Sequence, residues 1–145
     1  MKREVHTRGV VVARAASGEG SLRVSILTED LGLVRALGTS ARLERSKLRG
    51  HLVAGSYGTY SFVRGARDWR IIGAVGPQNI FYQNAHDQHR QNEVARIIAL
   101  VRQFVHGEEA NAGLFRALWG SADELPFAQA ESVVTIRVLS ALGYV

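Results

Sequence analysis

The sequence predicts an α+β protein, with a strand-built front half at residues 1–76 and a helical rear half at residues 77–145. Three observations carry that expectation. Composition shifts at Gly76-Pro77: glycines and β-branched residues recur before it, and turn signals thin out after it. Apolar residues alternate with polar ones in the front half and repeat at helical spacing in the rear half. Charge divides at the same place, with 13 Lys/Arg against 6 Asp/Glu in residues 1–76 and 5 against 7 in residues 77–145.

Five strands are predicted in the front half. The first runs from about Val5 to Ala16, and Ser17-Gly18-Glu19-Gly20 turns the chain. The second, Ser21 to Thr28, sets Leu22, Val24 and Ile26 on one face and Arg23, Ser25 and Leu27 on the other. Glu29-Asp30-Leu31-Gly32 turns again into a third strand, Leu33 to Gly38. A basic connection from Ser40 to Gly50 leads to a fourth strand, Leu52 to Val63. A hairpin at Gly65-Ala66-Arg67-Asp68 leads to the fifth, Trp69 to Val75. Five short turn-linked strands with one longer connection between the third and fourth match a five-stranded Greek-key β-barrel of the OB type.

In the rear half, Val94, Ile97, Ile98, Val101 and Val105 form one face of a helix from about Asn84 to His106, which Gly107 ends. Asn111 is placed to cap a short second helix carrying Leu114, Phe115 and Leu118. A third follows Pro126 and runs to about Leu142. Val133, Val134, Ile136, Val138, Leu139 and Leu142 make it apolar on nearly every side, so a covering surface is expected, and with it a homo-oligomer. With no internal repeat and no low-complexity linker, the barrel and the small helical domain are expected to pack together.

The 145 residues suit one ordinary domain or two small modules sharing a core, and a hydrophobic fraction of 46% is enough for a packed interior. Without cysteine the chain holds no disulfide and no thiolate zinc site. A reducing, cytoplasmic setting fits. The apolar run Gly9 to Ala13 is too short for a signal-peptide core, and Val133 to Val145 is too short to span a bilayer. Phosphate-cradling loops, dinucleotide fingerprints and nucleophile elbows are absent, so no enzyme activity and no cofactor is expected. His86-Asp87-Gln88-His89 is the one metal-like cluster. It lacks a third ligand and reads better as a polar first turn, with Asp87 favoured by the helix dipole. No metal is expected.

The net charge of +5 favours an anionic partner, nucleic acid ahead of a membrane surface. Arg42, Arg45, Lys47 and Arg49 lie in the connection after the third strand. Arg64 and Arg67 flank the last hairpin, with Arg70 beyond it, and Arg23 and Arg35 sit mid-strand. Together they form the candidate phosphate-binding set, for which salt-dependent binding follows. Among the aromatics, Tyr60 and Phe62 share a strand face and read as core, while Tyr57 and Trp69 are the candidates for stacking on bases.

Gly9-Val10-Val11, Gly18-Glu19-Gly20, Leu27-Thr28-Glu29 with Gly32, and Leu48-Arg49-Gly50 resemble, in order and spacing, the N-terminal barrel of the RecO recombination mediators. Arg64-Gly65 with Asp68 fits that family's fourth hairpin, and Leu142-Gly143-Tyr144 resembles a helix end in its helical domain. The resemblance implies binding of single- and double-stranded DNA and annealing of complementary strands. It also implies displacement of single-strand-binding protein and cooperation with RecR in loading the recombinase. It points to the basic residues of the Ser40–Gly50 connection, and to Arg116 and Arg137 for the tail of single-strand-binding protein. The family's cysteine-rich zinc module has no counterpart in these residues, which leaves two readings open, a naturally shortened member or a sequence that ends early, with part of that pocket missing in either. Two other readings stay open: a protein adaptor whose barrel docks on an acidic RecR-like ring, and an RNA-binding barrel.

Overall fold

In the computed structural model, which describes residues 3–18, 20–38, 51–120 and 127–144, the five expected strands are β1 (Glu4–Ser17), β2 (Ser21–Thr28), β3 (Gly32–Gly38), β4 (Ser56–Arg64) and β5 (Trp69–Asn79). The helices are α1 (Ile80–Gln83), α2 (Gln88–Phe104), α3 (Ala112–Leu118) and α4 (Glu131–Ala141). The strands form one mixed sheet in the order β1-β2-β3-β5-β4, which closes into a barrel through antiparallel pairing of β4 with β1. The parallel seam is short, with Ala36 opposite Trp69 and Leu37 opposite Arg70.

Several boundaries differ from expectation. β4 starts at Ser56 rather than Leu52, because the chain turns at Gly55 with φ 88°. A side chain at Gly55 would be strained by that φ and would meet the Phe81 ring at 2.5 Å. β5 passes Val75 and runs to Asn79, with register shifts against β4 taking up the extra residues. The first predicted helix starts at Gln88 rather than Asn84, and the short helix α1, which the sequence reading lacks, precedes it. Asn79 caps α1 by accepting from the Phe81 and Tyr82 amides, and Asp87 caps α2 by accepting from the Arg90 amide. α4 begins at Glu131, several residues after Pro126. The Ser40–Gly50 connection lies outside the described residues.

Two apolar clusters share β1. Val11, Leu22, Val24, Ile26, Val34, Tyr60 and Phe62 fill the barrel interior. Val10 and Val12 point the other way and pack, with Leu27 and Leu33, against the buried faces of α2, α3 and α4. A strand buried on both faces needs continuous apolar sequence, which accounts for Val10-Val11-Val12. The helical stripe of Val94, Ile97, Ile98, Val101 and Val105 is buried as predicted.

Polar contacts fasten the helices to the barrel. Arg8 donates to both carboxylate oxygens of Glu29, at 3.2 and 2.6 Å, and its guanidinium lies 5.1 Å from the ring centroids of Phe115 and of Trp119. The Leu33 amide donates to the Gly107 carbonyl at 3.2 Å.

Candidate nucleic-acid interface

Strand register decides which predicted cations meet. Arg23 pairs with Leu37, Leu37 with Arg70, Arg70 with Val63, and Val63 with Glu4. These residues therefore form one row across β2, β3, β5, β4 and β1. Directly paired residues share a sheet face, so Arg23 and Arg70 stand two strand spacings apart, about 10 Å. Arg35 lies two residues from Leu37 on β3 and so points the same way. Further along that face Leu27 and Leu33 are buried under the helices. Its other end, carrying Arg23, Arg35 and Arg70, is exposed.

The β4–β5 hairpin adds to this end. Its turn is closed by the Gly65 amide donating to the Asp68 carbonyl at 2.8 Å, which leaves Arg67 exposed at the tip. A shallow hollow of about 300 Å³ is lined by Leu37, Val63, Arg67, Trp69 and Arg70 among others. Asp68 turns back to Arg23 in an ion pair of 3.2 Å.

Arg64 and Trp69 form a second group on the opposite strand parity. Trp69 packs on the interior cluster and meets Phe62 edge to face, with ring centroids 6.3 Å apart. The Arg64 guanidinium lies 5.2 Å from the Trp69 centroid. Glu108, from the α2–α3 connection, accepts from Arg64 Nη1 at 3.3 and 3.4 Å and from Trp69 Nε1 at 3.0 Å.

Tyr57 corrects an expectation. It is 5% exposed, packs edge to face on Trp119, and its hydroxyl lies 2.9 Å from Gln78 Oε1 and 2.8 Å from Gln83 Oε1. On β4 it falls on the helix-covered side, so no base reaches its ring. Tyr60 and Phe62 are fully buried, as predicted. Arg42, Arg45, Lys47 and Arg49 lie outside the described residues. Arg116 and Arg137 come together from α3 and α4, lining a shared hollow of about 300 Å³ with Gly113, Ala117, Ser140 and Ala141.

In the histidine cluster, Asp87 is used as a helix cap, and His89 pairs with Glu93 at 3.2 Å. Among the described residues no three metal-ligating side chains meet, and no helix is long and apolar enough to cross a membrane.

Two contributors went unpredicted. Arg8 had a signal, since both acids of the Glu29-Asp30 turn lie within reach of its strand partner positions. Counting back from Ser17 opposite Ser21 places Arg8 opposite Asp30, and the β-bulge between Val11 and Ala13 moves it to Glu29. Glu108 had none, because nothing local ties the α2–α3 connection to the β4–β5 hairpin.

The profile described as Recombination protein O N terminal matches residues 1–75. Three curated relatives, each named DNA repair protein RecO, align over most of the chain. One from Dehalococcoides mccartyi strain 195 is 29% identical over 143 residues, covering 95% of this chain and 56% of its own length. One from Dehalococcoides mccartyi strain BAV1 is 32% identical over 120 residues, covering 82% and 47%. One from Chlorobium phaeobacteroides is 28% identical over 148 residues, covering 97% and 56%. The chain thus spans about half the length of the curated relatives it matches.

Proposed function

The chain belongs to the RecO family, and on that premise we propose that it is a non-enzymatic DNA-binding mediator of recombinational repair. Its strand half acts as an OB-type barrel that holds single strands by their phosphates. The observation carrying this reading is the uncovered end of the outer sheet face, where Arg23, Leu37 and Arg70 share one row and Arg35 and Arg67 flank it. A row of guanidinium groups on a rigid sheet tracks a phosphate backbone without reading its sequence. Trp69, at the edge of the hollow, is the stacking candidate. The strand order, with its parallel β3–β5 seam, supports the OB-type assignment. Annealing of strands, and work with a RecR-like protein and single-strand-binding protein, extend the same reading. Arg116 and Arg137, side by side between α3 and α4, suit the acidic tail of the latter.

The test is fluorescence anisotropy with a labelled single-stranded oligonucleotide over a salt series. Contacts to three or four phosphates give a log–log salt slope of about −2 to −3. Arg35→Ala and Arg70→Ala should each weaken binding and reduce that slope by about 0.7. Absence of binding at low salt, or binding indifferent to salt, refutes the reading. It would favour a protein adaptor, a role suited by the neutralisation of Arg23 by Asp68 and Arg64 by Glu108 within the chain itself.

A further inference from the structure

The Glu108 carboxylate sits in a ready-made anion position. Its two oxygens face three donor contacts, two from Arg64 Nη1 and one from the Trp69 indole N–H. These are the contacts that the two non-bridging oxygens of a phosphodiester would make. The backbone on either side of Glu108 is fastened to the barrel. The preceding residue, Gly107, accepts from the Leu33 amide at 3.2 Å. The following one, Glu109, lies so close to Gly32 that a Cβ there would come within 2.5 Å of its carbonyl oxygen. Gly32 also holds φ 72°, so only glycine accommodates both the turn and the approach. The backbone is thus pinned while the side chain is 44% exposed, and its partner Arg64 is 51% exposed. Exposed ion pairs hold weakly and are readily exchanged.

We propose that Glu108 is an intramolecular stand-in for a phosphate: it occupies an anion site made by Arg64 and Trp69, and a phosphodiester of bound single-stranded DNA displaces it. The inference rests on the proposed DNA-binding function and adds its regulation. The helical half lowers the barrel's affinity by filling one phosphate position with its own carboxylate. Displacement exchanges one anion for another at the indole N–H, so it is read first in affinity.

The experiment compares wild type, Glu108→Gln, Glu108→Ala and the neighbouring control Glu109→Gln, using a labelled oligothymidylate over a salt series. Thermal melts verify folding. Glu108→Gln and Glu108→Ala should bind about 3- to 10-fold tighter than wild type, with a similar salt slope, because the same phosphate is engaged in each. Glu109→Gln, which removes the same charge one residue away, should change affinity by less than about 2-fold. In an Arg64→Ala background the gain from Glu108→Gln should vanish. DNA should shift tryptophan emission less in wild type, where phosphate replaces carboxylate at the Trp69 N–H, than in Glu108→Ala, where that N–H gains an anionic acceptor. The inference is overturned if wild type binds DNA and Glu108→Gln binds no tighter. Equal gains from Glu109→Gln, or a gain that persists without Arg64, would also overturn it, since either points to bulk charge. Failure of every variant to bind DNA at low salt refutes the function itself, and is thereby told apart from failure of the regulatory step.

Discussion

At Arg8 three interactions meet: the forked bond to Glu29 and the faces of Phe115 and Trp119. Its Nη1 is buried and has no hydrogen-bond acceptor among the described residues, so the aromatic faces are its compensation. The same bond holds the Glu29 carboxyl below its ordinary value of 4.5. A lowered folded-state value means the stabilisation is complete above the ordinary pKa and is lost as pH falls through the folded one. Glu29→Gln should therefore lower the melting temperature at neutral pH, and its gap from wild type should close as the medium is acidified below the carboxylate range. Melting curves of both proteins across that range measure it, and a gap that stays constant with pH would refute the pairing. Arg8→Lys should not restore the contact, because an ammonium has no planar fork to match the carboxylate or lie flat on the rings.

Among the elements, α3 is short, and one side chain both caps it and ties it to α4. Asn111 accepts from the Leu114 amide as N-cap, and its Nδ2 donates to the Ala141 carbonyl at the end of α4 at 3.0 Å. Asn111→Ala removes both and should cost about 1–2 kcal/mol by denaturant titration. Asn111→Asp keeps the cap but loses the donor, so it should fall between the two. α4 shows where a sequence expectation was only half met. Val134 and Val138 are buried, while Val133 and Ile136 remain 39% and 58% exposed. Helical periodicity identified an apolar helix, but which stripe turned inward depended on α2 and α3.

For the whole molecule, the exposed stripe of α4 bears on assembly. We propose that a second copy covers Val133 and Ile136, as the sequence led one to expect. Size-exclusion chromatography at increasing concentration should then show a dimer that Ile136→Lys returns to the monomer position. A wild-type protein that elutes as a monomer throughout would rule it out. The uncovered outer face of the barrel and this stripe lie on different elements, so the proposed dimerisation and the proposed DNA binding should be separable by mutation.

Period-two alternation and turn residues revealed most of the barrel, because a strand with one face inside must place its apolar residues on alternate positions. Ser21 to Thr28 was predicted to the residue, since turns bound it on both sides. The start of β4 differs, and α1 is missing from the sequence reading, because Gly55 and Asn79 also answer to distant segments, Phe81 in one case and Ala54 in the other. Charge counting found the basic half, but it could not rank the cations. Arg23, Arg35 and Arg70 converge because β3 pairs with β5 out of sequence order. Tyr57 was lost to the core because the helices fold back over its side of the sheet. Local chemistry, then, settles what each segment becomes, since propensity and periodicity act between near neighbours. Closure of the barrel and docking of the helices settle which basic residues face outward together and which one, Arg64, meets Glu108, because those contacts join residues far apart in the chain.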